Sequence, residues 1–219
     1  VTTTQPSPTA GRARSRGGRA VLVLALALLI VLLVRSFVVQ TFSIPSDSMR
    51  PTLRPGERVL VWRAGASEVR RGDVVVFDGT GTFADAPPPP RGLARLGDAV
   101  ASLLGFRPGE SDYVKRVVGL PGDRVTCCDP QGRLLVDGEP LAEPYLQPGD
   151  APSDVRFDIE VPSGRLWLMG DHRSDSVDSR SHLGSPGGGT VSVDDVVGRV
   201  VAVTWPLGSV GAVERGDGS

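Results

Sequence analysis

Two serines stand between two prolines in the stretch Ile44-Pro45-Ser46-Asp47-Ser48-Met49-Arg50-Pro51-Thr52-Leu53. Each proline fixes its own φ near about −65° and biases the residue before it toward extended geometry. A rigid, bent, non-helical segment is expected, presenting Ser46 and Ser48. A polar turn would explain both serines without chemistry, because turn serines commonly bond only their own backbone. A hydroxyl becomes a useful nucleophile only beside a base. Two kinds of base are on offer: Lys115, in the run Tyr113–Gly119, and the two histidines, His172 and His182. A lysine with a pKa of about 10.4 is less than ~0.1% neutral at pH 7. Lysine can serve as a base only if burial lowers that pKa by about 2–3, at a cost of about 3–4 kcal/mol. Without such burial Lys115 is a solvated strand charge. His172 could serve Ser48 with Asp171 or Asp175 as its orienting carboxylate. Cys127 and Cys128 are the only cysteines. Their adjacency across a trans peptide, with Cα atoms about 3.8 Å apart, favours two free thiols over a vicinal disulfide. No other ligands cluster near them, so no metal site is expected.

The elements that must hold these residues read mostly as strands. Arg58–Arg63 follows a Pro55-Gly56 turn, and Asp73–Phe77 lies between Arg71-Gly72 and Asp78-Gly79. Tyr113–Gly119 is closed by Leu120-Pro121-Gly122-Asp123. Alternation puts Tyr113, Lys115 and Val117 on one face and Val114, Arg116 and Val118 on the other. Lys115 and Arg116 therefore point opposite ways, and one of them is expected to enter a half-buried surface. Short strands follow at Arg124–Cys127 and Leu134–Val136, with a loop to about Asp158, then strands at Arg165–Met169 and Val196–Trp205. The loop Gly170–Arg180 packs three serines, three aspartates and two arginines together, which predicts a hydrogen-bonded network. Ser181–Ser192 is glycine-rich and reads as a mobile loop.

Composition sets the class. The chain has 219 residues, 5% aromatics, 28 glycines and 19 prolines, a mix that suits a β-rich fold with many turns. A net charge of −1 gives no bulk attraction for nucleic acid, and none is expected as a partner. Residues 1–19 carry four arginines and no acid, and read as a disordered basic tail. Ala20–Val39 is apolar apart from Arg35 and Ser36, long enough to cross a hydrocarbon core of about 30 Å as one helix. The basic tail places the N-terminus in the cytoplasm and the rest outside. A cleavable signal peptide is the rival reading of Val21–Val34, but Thr41-Phe42-Ser43 is a poor cleavage site. From Val39, nine residues reach Ser48, a span of at most about 30 Å, which keeps Ser48 near the outer membrane surface. The expected organisation is a tail at 1–19, a transmembrane anchor at 20–42, an extracytoplasmic domain at 43–206 and a C-terminal tail at 207–219. Within the domain, 78–112 reads as an insertion, with a polyproline run at Pro87–Pro90 and an amphipathic helix at Gly92–Phe106.

Four motifs occur in order behind the anchor: Ile44-Pro-Ser-x-Ser-Met-x-Pro-Thr-Leu53, Arg71-Gly-Asp-Val-Val-Val-Phe77, Tyr113-Val-Lys-Arg-Val-Val-Gly-Leu-Pro-Gly-Asp123 and Gly170-Asp-His-Arg-Ser-Asp-Ser-x-Asp-Ser-Arg180. Together they resemble the bacterial type I signal peptidases, over about residues 20–206 less the 78–112 and 181–192 segments. The resemblance implies a mainly β fold: one transmembrane helix, then a largely antiparallel β catalytic domain with a smaller β insertion at about 127–160. It implies Ser48 as nucleophile and Lys115 as general base. It gives Ser46, with the Ser48 backbone N–H, the oxyanion hole, Ser176 the orienting of the lysine, and Asp178 and Arg180 a supporting ion pair. It implies no metal and no cofactor. The implied substrates are membrane-inserted secretory preproteins with small residues at −1 and −3, and the lipid bilayer is the other partner. The implied location is the plasma membrane, single-pass. His172 and Ser174 depart from the family pattern, where asparagine and aspartate are common. A catalytically inactive paralogue that binds signal peptides or partner subunits is the alternative of a different class, and the intact Ser46, Ser48, Lys115 and Ser176 weigh against it. Self-cleaving Ser-Lys repressors are excluded, since residues 1–42 hold no DNA-binding module.

Overall fold

The computed structural model describes residues 14–63, 68–84 and 111–216, with backbone alone at 14–17 and 30–37. The tail before Arg14 and the proline run and helix expected within 85–110 lie outside the described residues. Helix α1 (Arg14–Phe37) comes first and starts six residues inside the stretch read as a disordered tail. Its described apolar side chains, among them Val21, Leu22 and Leu24, are exposed. Among the described residues no helix is long and apolar enough to cross a membrane; the side chains described in α1 stop at Leu29.

The named strands after α1 all pair antiparallel, with short 3-10 turns between some of them. The stretch read as the end of the anchor is instead strand β1 (Val39–Ser43), paired residue for residue with β2 (Arg58–Trp62). The strand β3 (Val74–Asp78) pairs with β4 (Asp112–Gly119), and β4 pairs with β9 (Arg165–Met169) from Arg116 onward. The long strand β11 (Val196–Trp205) bridges β2 and β3. With β10 (Val191–Ser192) beside β9, the order is β1-β2-β11-β3-β4-β9-β10, and β12 (Gly211–Ala212) adds to β11. A second sheet, ordered β7-β6-β5-β8, is built from β5 (Arg124–Cys127), β6 (Leu134–Val136), β7 (Glu139–Pro140) and β8 (Phe157–Glu160). It takes the place expected for the small β subdomain. β8 falls in what the sequence presents as loop, because Phe-Asp-Ile-Glu is too short and too charged to stand out.

The core explains why β3 and β4 are so apolar. Val74 and Val76 pack with Ile44, Met49, Leu53, Val59 and Val61 on one side, while Val75 and Phe77 pack with Val117, Leu166 and Leu168 on the other. A strand covered on both faces reads as a continuous apolar run rather than an alternation. The same double cover corrects the expectation for β4. Both Lys115 and Arg116 are buried, each on its own face.

The expectation of two free thiols is also corrected. Cys127 and Cys128 form a disulfide. The peptide joining them is cis and their Cα atoms are 3.0 Å apart, so the argument from alternation across a trans peptide does not apply here.

Candidate active site

Ser48 sits on the connection between β1 and β2. Backbone bonds from Ile44 N to Glu57 O (2.9 Å) and from Gly56 N to Ile44 O (2.9 Å) close that connection into a loop. Within it, Arg50 N bonds Asp47 O and Leu53 N bonds Met49 O, giving consecutive turns between the two prolines. Met49 and Leu53 are fully buried and anchor the turn from below. Truncating one such side chain to alanine typically costs about 2–5 kcal/mol, so the turn is not free to drift.

From β4, Lys115 reaches across, and its Nζ hydrogen-bonds Ser48 Oγ at 2.7 Å. The two residues are buried, and Lys115 takes part in none of the ion pairs among the described residues. Burial lowers its pKa from 10.5 to about 8, against the opposing pull of the Asp178 and Asp171 charges and with help from Arg180. A serine hydroxyl bonded to an unpaired, desolvated amine has a proton acceptor in place, which is what a Ser-Lys nucleophile needs. Ser46 Oγ lies 3.2 Å from Ser48 Oγ on the solvent-facing side of the turn.

A cleft of about 520 Å³ opens beside these groups. Phe42, Ile44, Met49, Val76 and Val114 give it apolar walls, and Ser46, Ser48 and Lys115 line it with them. It runs between two strand edges. Among the described residues β1 pairs only with β2, and β4 pairs on one side only from Asp112 to Lys115, since β9 begins opposite Arg116. An extended peptide laid in this cleft would run along the edge of β1 on one side and of β4 on the other, the usual setting of strand addition.

The Gly170–Arg180 loop lies behind the nucleophile. His172 N bonds Ser48 O at 3.1 Å. Gly170 lies so close to the Ser48 carbonyl and to Ser176 Oγ that a Cβ there would collide with both. Asp178 accepts from Gly170 N and is held twice by Arg180, at 2.9 Å from Nε and 2.8 Å from Nη2. Burial alone would raise the Asp178 pKa, but the Arg180 hydrogen bonds and charge outweigh it and hold the carboxyl below its ordinary value. Ser176 makes no hydrogen bond to Lys115. Its Oγ is buried with no partner at hydrogen-bond distance, although it stands near enough to Asp178 to favour the ionised carboxylate slightly. No hydrogen bond joins the His172 imidazole to Ser48; its nearest carboxylate is Asp175, at 3.9 Å. His182 is elsewhere, against Phe83 with ring centroids 4.6 Å apart and the planes tilted by 38°.

Three parts of this arrangement are not apparent from the sequence reading. Gly170 is one. Another is the pair formed by Arg116 and Asp171, with Nε to Oδ1 and Nη2 to Oδ2 both at 2.7 Å, and with Thr52 bonded to both partners. The last is the buried pair of Arg173 and Glu143. Alternation alone assigned Arg116 to the face opposite Lys115. The continuous valines of the neighbouring β3 were the available signal that this face, too, is covered.

Comparison with known proteins shows a family for the chain. The family model for signal peptidase, peptidase S26, matches residues 18–205. A probable signal peptidase I of Mycobacterium leprae is 36% identical, over 90% of this chain and 79% of its own. A signal peptidase I of Mycobacterium tuberculosis is 35% identical, over 96% of this chain and 79% of its own. The crystal structure of a signal peptidase I from Enterococcus faecalis aligns with 60% of this chain and 95% of its own, at 21% identity and a TM-score of 0.38, too low to carry an argument.

Proposed function

The chain belongs to the signal peptidase family, peptidase S26, and is a serine endopeptidase; from that premise we propose that it cleaves signal peptides from secretory preproteins, with Ser48 as nucleophile and Lys115 as general base. The observation that carries this reading is the buried Lys115 Nζ at 2.7 Å from Ser48 Oγ.

Neutral Lys115 takes the Ser48 proton as Oγ attacks the scissile carbonyl. The oxyanion is held by the Ser48 backbone N–H and the Ser46 hydroxyl, which lies on the cleft side of the turn. Loss of one such donor typically costs about 10²–10³ in rate. The lysine then protonates the leaving amine, and water, activated by the same Nζ, releases the acyl chain from Ser48. Asp178 with Arg180 keeps the loop behind the nucleophile in place, and Ser176 packs against Gly170 within it. The preprotein lies extended between β1 and β4. Small side chains at −1 and −3 would face the apolar lining of this cleft. The α1 helix anchors the enzyme: its apolar residues Val21–Leu29 are exposed in the isolated chain, and lipid would cover them. The arginines at its start favour a cytoplasmic N-terminus and an extracytoplasmic cleft.

The test is cleavage of a preprotein with an Ala-x-Ala site by the detergent-solubilised chain. Ser48→Ala and Lys115→Ala each abolish cleavage, and His172→Ala retains it. Cleavage by both of the first two variants overturns the assignment. No cleavage by folded wild type leaves a signal-peptide-binding protein.

A further inference from the structure

The residues that follow β12 turn back across the sheet and end on the Arg116 guanidinium. Val213 N bonds Val201 O at 3.0 Å, carrying the chain along β11. Arg215 Nε then bonds the buried Asp73 carboxylate at 2.7 Å, and Arg199 approaches the same oxygen at 3.8 Å. Gly216 N bonds Gly72 O at 3.2 Å. The same Gly72 oxygen accepts from Arg116 Nη1 at 2.6 Å. Gly216 packs on the Tyr145 ring and beside Arg116 Nη1 so closely that a Cβ at 216 would collide with the ring and lie 3.0 Å from the nitrogen. Tyr145 in turn stacks on the guanidinium, with Arg116 Cζ 4.1 Å from the ring centroid.

Arg116 is thus held from behind by Gly72 O, Tyr145 and Gly216. Its other nitrogens grip Asp171 and Thr52. Those two residues flank the nucleophile: Thr52 is four residues beyond Ser48 on the same turn, and Asp171 precedes His172, whose N–H holds the Ser48 carbonyl. Lys115 is the residue before Arg116 on β4. A buried guanidinium with each of its nitrogens hydrogen-bonded moves as a unit with its partners, because leaving a buried charge half-satisfied is costly.

We propose that Val213–Gly216 is a strap that sets the position of Arg116, and that Arg215 and Gly216 are positioning residues for peptide-bond cleavage, acting through Asp73, Gly72 and Arg116 on the Ser48 turn and the Asp171 loop. This rests on the Ser48–Lys115 reading above. None of the strap residues touches the cleft, so the effect is on turnover and not on substrate affinity. It also carries an electrostatic signature. A displaced Arg116 screens Asp171 less well, and the Asp171 charge favours protonated Lys115.

The experiment measures kcat, KM and the pH dependence of kcat/KM for the full-length, detergent-solubilised chain and its variants. The substrate is a peptide with an Ala-x-Ala site, and the active fraction is counted with a serine-acylating probe. Arg215→Ala and Gly216→Val each lower kcat per active site about tenfold at unchanged KM and move the acid limb of the profile to higher pH. Arg215→Lys recovers most of the rate. Arg215 is partly exposed, so its variants remain folded where Gly216→Val does not, and the alanine and lysine pair then decides alone. Rates per active site within twofold of wild type, or an unmoved acid limb with any loss traced to the active fraction, overturn the strap while leaving the dyad intact. Inactive folded wild type overturns the dyad reading and the strap with it.

Discussion

The acid limb of the rate profile should report Lys115. Burial sets its pKa at about 8, against 10.5 for an ordinary lysine. At pH 7 about a tenth of Lys115 is then neutral, against about 0.03% of an unshifted lysine, a gain of roughly 300-fold in competent enzyme. We expect kcat/KM to rise tenfold per pH unit below about pH 8 and to level above it. The perturbation is Arg180→Ala. Arg180 lowers the Lys115 pKa directly, and it also offsets the Asp178 charge, which raises it. Removing the guanidinium takes away the first effect and exposes the second, so the limb moves to higher pH. Each whole pH step costs about tenfold at pH 7, equivalent to 1.36 kcal/mol. The assay is initial-rate cleavage of an Ala-x-Ala peptide from pH 5 to 10, for wild type, Arg180→Ala and His172→Ala. A wild-type limb near pH 6–7 that disappears in His172→Ala would refute the reasoning, because the titrating base would then be the imidazole. A limb moved downward by Arg180→Ala would refute the electrostatic account even if the lysine is the base.

Two further outcomes follow from the geometry. Ser46→Ala should lower kcat by about 10²–10³ with KM within twofold, as steady-state kinetics will show, because on the proposed mechanism it removes an oxyanion donor while leaving the apolar lining of the cleft in place. Gly170→Ala should lower both activity and melting temperature. The added Cβ collides with the Ser48 carbonyl and Ser176 Oγ, and backbone cannot retreat as a flexible side chain would; melting and cleavage unchanged together would show that the loop does not pack on the nucleophile as described.

The local patterns carried more of the fold than of its layering. β4, β5, β6, β9 and β11 stand within a residue of their expected positions, because valine-rich runs between glycine and proline turns leave little choice. β1 was hidden by the apolar run before it: the run ends at Val39, the first residue of β1, and only pairing with β2 makes Val39–Ser43 a strand. β7, β10 and β12 are two-residue pairings with no pattern to read. The four motifs contain the polar groups now found around Ser48, but not their pairings. The family resemblance placed Asp178 with Arg180, two residues apart. Sequence order held no cue that Asp171 would be claimed by Arg116, 55 residues upstream, since that contact depends on β4 and β9 lying side by side. The same limit applied to Cys127 and Cys128, where the outcome turned on the peptide between them.

The charges buried around the nucleophile divide sharply. Arg116, Arg173 and Arg180 are each matched to a carboxylate at hydrogen-bond distance, whereas Lys115 has a hydroxyl. Arginine cannot lose its proton in such a setting, so burial obliges it to find a counter-ion. Lysine can, and burial without a counter-ion instead drives it toward the neutral amine. Keeping Lys115 below its ordinary pKa costs the folded state about 3 kcal/mol at neutral pH, the free-energy equivalent of the drop from 10.5 to about 8. The unfolded chain binds that proton more tightly, so the penalty is fully present below about pH 8 and fades as the pH climbs toward 10.5. The Arg116 and Arg180 pairs are therefore more than scaffolding. They occupy Asp171 and Asp178, whose charges favour the protonated Lys115, and in doing so they leave the amine as the buried cation with reason to give its proton up.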